Sequence, residues 1–454
     1  MASESDLKVL STSSRRSVEN AACSPSLRNG DVVEGQVEKV VYRGVGLMRP
    51  GGRIIFVRGV YPGERWRVRV TDVSRDYARG VGIEPLATNA DRRPSACPVF
   101  PACGGCSHLD LNYAAQLRLK TAVLEDVFAR AGVDWSEKIH MTPSPEIGWR
   151  SRASVHLERH RTILRMGFKE AASHRIIETA DCSQLSKTMN AALSELRLAL
   201  EPSTDLTRES RRVEIAESYD GESRIAAVIV DRMRIRRRRL DELMERLRAV
   251  DALGIVSVGP WKTHGIWSGV PHVFSRVRGF LFRIHACSFF QANRFLAEAL
   301  VRAVESKVPG NAVVLDLFSG VGLFSVALAS RMKRVLGVET NPVAIGDARV
   351  NARAAGLTNV EFLRGDAHET LAQLPRGDDE AVIVDPPRGG LSRGLVEHLH
   401  ERRPSLIVYV SCDPPALARD IVRFERAGYE LRSVDALDLF PGTFHFETVA
   451  CLAR

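Results

Sequence analysis

The sequence predicts a multidomain α/β protein with three parts: a small N-terminal β-barrel, a central α+β domain with a cysteine cluster, and a C-terminal Rossmann-like domain on a mostly parallel sheet. Three observations lead there. Short alternating runs split by Gly and Pro fill residues 28–88. Cys97, Cys103 and Cys106 fall close together at the start of residues 89–290. From 291 to 454, apolar runs of strand length alternate with helical patterns. At 454 residues, with 44% hydrophobic and 26% charged residues, the chain has the length of roughly two to four domains and is too apolar for wholesale disorder.

Residues 1–27 are polar, serine-rich and aperiodic, which predicts a disordered tail. No run approaches the ~20 apolar residues a spanning helix needs, and the N-terminus lacks an apolar signal region. A soluble cytoplasmic protein with no membrane partner is expected. The 64 Lys+Arg outnumber the 55 Asp+Glu, for a net charge of +9, which favours a polyanionic partner, nucleic acid first. Only nine of the 64 are lysine. Arginine suits bidentate phosphate contacts, but a GC-rich genome produces the same bias, so the net charge is the evidence.

Within 28–88, runs such as VVEGQVEKVVY, RIIFVRGV and ERWRVRVTDV read as the strands of a small barrel. Tyr42, Phe56, Tyr61, Trp66 and Tyr77 interleave with Arg43, Arg53, Arg58, Arg65, Arg67 and Arg69. Stacking aromatics beside arginines is RNA-binding chemistry; the same aromatics also fit a barrel core and the arginines a solvated face. Residues 89–290 open on Cys-Pro…Cys-Gly-Gly-Cys, pass a helix-like stretch at 114–132, alternate over 152–170, and include a basic helical stretch at 232–250. Thiolates spaced like Cys97, Cys103 and Cys106, with Cys182 downstream, bind metal as tetrahedral zinc or as an iron–sulfur cluster.

In the C-terminal part, ligands are expected beyond the carboxyl ends of the strands. The first strand ends at Asp316-Leu-Phe318-Ser-Gly320-Val-Gly322, whose glycines let a ligand approach the backbone. The second ends at Glu339, where a carboxylate accepts ribose hydroxyls. Ser325 replaces the third glycine of the dinucleotide fingerprint, which suits S-adenosylmethionine, having no pyrophosphate, better than NAD. Asp366, after the third strand, takes an adenine amino group or caps a helix.

Three further strand termini carry reactive groups: Asp385-Pro-Pro-Arg388-Gly-Gly, Ser411-Cys412-Asp413-Pro414, and Phe444-His445-Phe446-Glu447-Thr448. The last belongs to a hairpin-like pair joined at Pro441–Gly442, predicting an antiparallel strand at or near one edge. A thiol and a carboxylate beside a methyl donor permit methylation of uracil carbon 5. The thiolate adds at C6, C5 attacks the sulfonium methyl, and a base removes the C5 proton before the thiol leaves. A cysteine ending a buried strand is more often packing than nucleophile; here Cys412, Asp385 and the glycine loop end strands of one sheet. A base amino-group methyltransferase needs no thiol and usually has an aromatic where Arg388 stands. A non-catalytic RNA binder would show decay at Cys412 or Glu447, and an NAD oxidoreductase fits Ser325 poorly.

The motifs Phe289-Phe290-Gln291-Ala292-Asn293, Asp316–Gly322, Asp385–Gly390, Ser411–Pro414 and Phe440-Pro441…His445-Phe446-Glu447 resemble those of the RNA uracil-5 methyltransferase family, and the resemblance covers all but the tail. It implies an S-adenosylmethionine-dependent methyltransferase domain in which Gln291, Phe318, Glu339 and Asp385 line the cofactor and target pocket, with Gly320, Gly322 and Asp366 on the cofactor side. It implies Cys412 as nucleophile and Glu447 as base. Leu323 stands where the family often has Asn. The cysteine pattern resembles that of members carrying a [4Fe–4S] cluster, implying Cys97, Cys103, Cys106 and Cys182 as its ligands in a structural or RNA-docking role. The N-terminal part resembles a TRAM domain, an OB-like RNA-binding barrel. Barrel, cluster and methyltransferase in this order resemble the bacterial 23S rRNA enzymes, whereas bacterial tRNA enzymes typically lack the first two. The resemblance therefore implies 23S rRNA as partner, with tRNA the alternative; no protein partner is evident, and a monomer is expected.

Overall fold

The computed structural model describes residues 27–230, 236–257, 265–377 and 379–454. All but the last residue of the expected tail, and residues 232–235 of the expected basic helix, lie outside them. Strands β1 (Val32–Val41), β2 (Val45–Met48), β3 (Ile55–Arg58), β4 (Arg65–Val73) and β5 (Ala78–Ala87) form a closed barrel in the order β1-β2-β3-β5-β4. Alternation turns Val37, Met48, Ile55, Val57, Val68 and Val70 inward, and closure leaves no unpaired edge. Phe56 and Tyr77 pack edge to face in a second apolar cluster, and Tyr61 is buried. Arg65 and Arg67 pair with Glu34. These three aromatics are therefore core and interface, not a base-stacking platform on the barrel wall.

The stretch 89–290 is divided among three places. Helix α1 (Tyr113–Ala131), capped by Asn112 and ended by Gly132 at φ 77°, joins the C-terminal unit. So does the two-residue strand β6 (Met141–Thr142). Strands β7 (Arg152–His160), β8 (Ile163–Lys169), β9 (Ile176–Glu178), β10 (Ser210–Glu217), β11 (Arg224–Val230), β12 (Ala252–Ser257) and β13 (Gly265–Gly269) form a second sheet, ordered β13-β12-β11-β10-β7-β8-β9. Helices α2 (Lys187–Leu200), α3 (Thr204–Glu209) and α4 (Arg237–Arg246) share its core. The hairpin β14 (His272–Val277) and β15 (Phe280–His285) then leads to α5 (Ala297–Glu305).

The C-terminal unit follows as β16 (Val313–Leu317), α6 (Leu323–Leu328), β17 (Arg334–Glu339), α7 (Pro342–Ala354), β18 (Val360–Arg364), α8 (Ala367–Gln373), β19 (Glu380–Val384), α9 (Arg393–Arg402), β20 (Leu406–Ser411), α10 (Pro414–Arg426), β21 (Glu430–Leu437) and β22 (Glu447–Ala453). The sheet order is β18-β17-β16-β19-β20-β22-β21-β6. Strands β16 to β20 are parallel, and β19 and β20 are buried along their whole length because both faces are covered. Val314, Ile383 and Val408 face one apolar cluster, and Leu315, Val382 and Ile407 the other. In that second cluster Leu124 and Phe128 of α1 share a core with Leu417, Ile421 and Phe424 of α10. The closing pair is antiparallel as expected, but β22 slots between β20 and β21, and β6 forms the outer edge. No helix among the described residues is long and apolar enough to cross a membrane.

Candidate active site

The loop after β16 is shaped to leave room. Phe318 takes φ 69°, Gly320 φ 55° and Gly322 φ 85°. A Cβ on Gly320 would meet nothing within 4 Å, so this turn opens onto free space, whereas one on Gly322 would lie 2.9 Å from the Phe362 ring. Asp316 is fully buried, and its Oδ2 accepts hydrogen bonds from Ser325 N (3.0 Å) and Oγ (2.5 Å). The serine that breaks the dinucleotide fingerprint thus anchors the first strand's carboxyl group. Glu339 accepts from Gly320 N at 3.0 Å and Asn341 N at 2.7 Å, so it stands directly across the loop. Leu323 is buried in the apolar core. Asp366 caps α8 through His368 N and Glu369 N, the second of its two expected roles.

The reactive groups converge at the neighbouring strand ends. Ser411 of β20 pairs with Thr448 of β22, and Cys412 and Glu447 are the next residues beyond that pair on the two chains. Burial and the Asp385 charge push Glu447 well above the usual carboxylate range. Burial and Asp316 push Asp385 up to about 7, and burial pushes Asp316 itself to about 7. Burial and Glu447 push the Cys412 thiol up to about 12, with Arg388 pulling the other way. Each group's charge is felt by the next, which places Asp316, Asp385, Glu447 and Cys412 in one continuous acidic seam.

The Phe289–Asn293 segment, which the resemblance assigns to the same pocket, is held by bonds of its own. Phe289 is exposed and Gln291 buried, its carbonyl accepting from Tyr219 Oη at 2.7 Å. Asn293 clamps the segment: Nδ2 donates to Leu439 O (3.0 Å) and Ser144 Oγ (2.9 Å), while Oδ1 accepts from Phe295 N and Leu296 N at the entry to α5. On the other side, Asp347 of α7 accepts from Arg283 Nε, His285 N and Ser288 Oγ, each at 2.9 Å. These bonds tie the segment to Leu439 before β22 on one side and to α7 on the other.

That approach is itself tied down by residues the sequence motifs did not single out. Lys120 of α1, buried, donates to Asp438 Oδ1 (2.6 Å) and Phe440 O (3.0 Å). Gly442 O accepts from Ser107 N and His108 N, and Gly442 N donates to Gln116 Oε1. Tyr42 of the barrel donates to Asp413 Oδ2 at 2.8 Å. The only sequence signal for any of these was Tyr42's place among the barrel aromatics.

Cys97, Cys103, Cys106 and Cys182 line one cavity, with Arg150 beside them. The Arg150 charge favours the thiolate forms of Cys103, Cys106 and Cys182, against burial. Among the described residues, no three His, Cys, Asp or Glu stand close enough to hold a single metal ion.

Residues 112–454 match the family described as tRNA (uracil-5-)-methyltransferase. An RNA methyltransferase of Halalkalibacterium halodurans is 31% identical, over 94% of this chain and 98% of its own. One of Aquifex aeolicus is 30% identical, over 92% and 97%. Among solved structures, the Pyrococcus abyssi tRNA (uracil-54, C5)-methyltransferase in complex with S-adenosyl-L-homocysteine superposes with a TM-score of 0.74. It is 28% identical and covers 92% of this chain and 99% of that one.

Proposed function

Because this chain belongs to the tRNA (uracil-5-)-methyltransferase family, we propose that it methylates carbon 5 of a uridine in folded RNA through a covalent bond between Cys412 and carbon 6 of the base. The observation that carries this is that Cys412 and Glu447 flank the last paired residues of β20 and β22, each feeling the charge of Asp385, at the rim of the sheet that holds the glycine loop. The open space at Gly320, with Glu339 across the loop, fits an adenosyl group, with Phe318, Gly322 and Asp366 on the same side. S-adenosylmethionine bound there supplies an electrophilic methyl group.

Cys412 adds as thiolate to C6, and the ring becomes an enolate whose C5 takes the methyl group. Glu447 then removes the C5 proton, the C5–C6 double bond re-forms, and the Cys412–C6 bond breaks to release thiolate. In its ionised form Glu447 is a stronger base than an exposed carboxylate, because burial and the Asp385 charge raise its proton affinity. Asp385 and Gln291 are the polar groups this reading assigns to the edge of the base. RNA bearing 5-fluorouridine tests this scheme, since fluorine cannot leave as a cation. A stable adduct is expected, and Cys412→Ala should abolish it; an adduct that survives the substitution removes this thiol from the mechanism.

Two RNA targets remain in view. Barrel and cysteines before the catalytic unit favour 23S rRNA. Against that, a match to a tRNA enzyme over 92% of 454 residues leaves about 36 outside it, too few to omit the barrel at 28–88, so a barrel does not exclude tRNA. Site-mapped nucleoside mass spectrometry of rRNA and tRNA from a deletion strain separates the two. For the four cysteines, the reading is a [4Fe–4S] cluster. That reading rests on the resemblance of their spacing to cluster-bearing members of the family, and the four line one cavity. Its role is structural, because the methyl transfer moves no net electrons and the cysteine loop is bonded to Gly442.

A further inference from the structure

We propose that Tyr42, in the turn between β1 and β2 of the barrel, is a positioning residue for Cys412, so that the barrel forms one wall of the catalytic site as well as a surface for RNA. The proposal rests on the uracil-5 reading of that site.

Cys412 is the middle residue of a turn closed from both sides. Asp413 N donates to Ser411 Oγ at 3.1 Å, and the Ser411 hydroxyl donates to Asp413 O at 3.2 Å. Asp413 is also the N-cap of α10, its Oδ1 accepting from Ala416 N at 3.0 Å. A capping carboxylate with one oxygen engaged can still rotate about its own axis unless the second is held. Tyr42 Oη holds it, at 2.8 Å and from 371 residues away in sequence. The Tyr42 ring also meets Phe444 edge to face, centroids 6.0 Å apart at 88°, and Phe444 lies against His445 at 4.0 Å on the approach to Glu447. One tyrosine therefore touches both chain segments that carry the proposed reacting groups: the β20–α10 turn through its hydroxyl, the lead into β22 through its ring.

The barrel turn is built to stay there. Lys39 Nζ donates to Asp126 Oδ1 of α1 at 2.5 Å, and Tyr42 is half-buried against the core of the catalytic unit. Gly44, at φ 70°, lies so close that an added Cβ would stand 2.9 Å from the His108 ring and 3.0 Å from Phe444 Cβ. Burial and the Asp413 carboxylate hold the Tyr42 hydroxyl un-ionised, so it remains a donor at any working pH.

The test is a double-mutant cycle on Tyr42→Phe, which keeps the ring, and Asp413→Ser, which keeps a helix cap but offers no second carboxylate oxygen. The readouts are the single-turnover rate of adduct formation with 5-fluorouridine RNA at saturating RNA, and the RNA Kd. Tyr42→Phe is expected to slow adduct formation about tenfold, the scale of one lost hydrogen bond to a charged group, with Kd changed less than about twofold. In the Asp413→Ser background the same substitution should add almost nothing. An unchanged saturating rate, a loss accounted for entirely by weaker RNA binding, or a full effect persisting without Asp413 would each overturn the proposal. No adduct from the unaltered chain overturns the uracil-5 reading and this proposal with it; a full-rate adduct from Tyr42→Phe overturns the proposal alone.

Discussion

Cys412 and Glu447 flank the Ser411–Thr448 pair at the seam where parallel strand β20 meets antiparallel strand β22, and the Glu447 charge raises the proton affinity of the Cys412 thiol. The reversal is what makes the pairing possible. In a purely parallel sheet the first residue of the closing strand would lie at the opposite rim from the last residue of β20. Running β22 backwards brings its start, the lead-in segment that ends at Glu447, to the rim where Asp385 and the glycine loop already sit.

Removing the charge of Glu447 while keeping its shape should split the reaction in two. With Glu447→Gln the thiol can still add and the methyl group can still move, but the C5 proton has no base. On ordinary uridine RNA a methylated protein–RNA adduct should accumulate, visible as a retarded band under denaturing conditions, with turnover reduced at least about a hundredfold. Normal turnover with no adduct would exclude Glu447 as the base.

The thiol must ionise to react, and burial with Glu447 pushes Cys412 up to about 12. Below that value the thiolate fraction rises about tenfold per pH unit. Adduct formation at saturating RNA should therefore climb from pH 7 to 9 without a plateau. Arg388 is exposed and pulls the thiol pKa down. Arg388→Ala should keep the slope and lower the rate. Each unit of pKa rise costs about tenfold in thiolate and regains about threefold in nucleophilicity, a net loss of about threefold. A plateau beginning near neutrality would show that the thiolate is already formed.

The strand-end chemistry was legible because a parallel sheet buried on both faces writes its strands as apolar runs, so Asp316, Asp385 and Cys412 stand out as punctuation. Which neighbour β22 would choose was not legible, since pairing order depends on contacts far apart in sequence. Strand β6 has two residues and no period to read. The Tyr42–Asp413 bond joins two residues that the sequence marked separately, and nothing local to either says that they meet. Asp366 shows the converse: a cap and a ligand contact ask for the same residue, and the structure finds the cap. The barrel aromatics fitted a core as well as a stacking surface, and the core reading holds for Phe56, Tyr61 and Tyr77.

The cysteine cavity gives a prediction independent of methyl transfer. Anaerobically purified protein should carry about four iron and four sulfide per chain, with a visible charge-transfer band. Cys103→Ser should lower iron content and Tm together. Because Ser107 N and His108 N both bond Gly442 O, the loss should also expose the 438–445 segment to faster amide exchange. Stoichiometric zinc with no visible band would reverse the assignment of the metal.

Asp316 makes stability itself pH-dependent. Its carboxyl is fully buried and pushed up to about 7, chiefly by burial, whereas in the unfolded chain it titrates near 4. Between those values the folded protein holds a proton that unfolding releases, so stability falls as pH rises through the window and levels off above it. The loss is on the order of 4 kcal/mol for this group. Asp316→Asn has no proton to lose and keeps an oxygen to accept from Ser325 N and Oγ. Without cofactor, its Tm should change less than that of the unaltered protein between pH 5 and 8, and should be the higher of the two at pH 8. Parallel Tm curves for the two proteins would mean that Asp316 is ionised in the fold and that something not yet identified neutralises it.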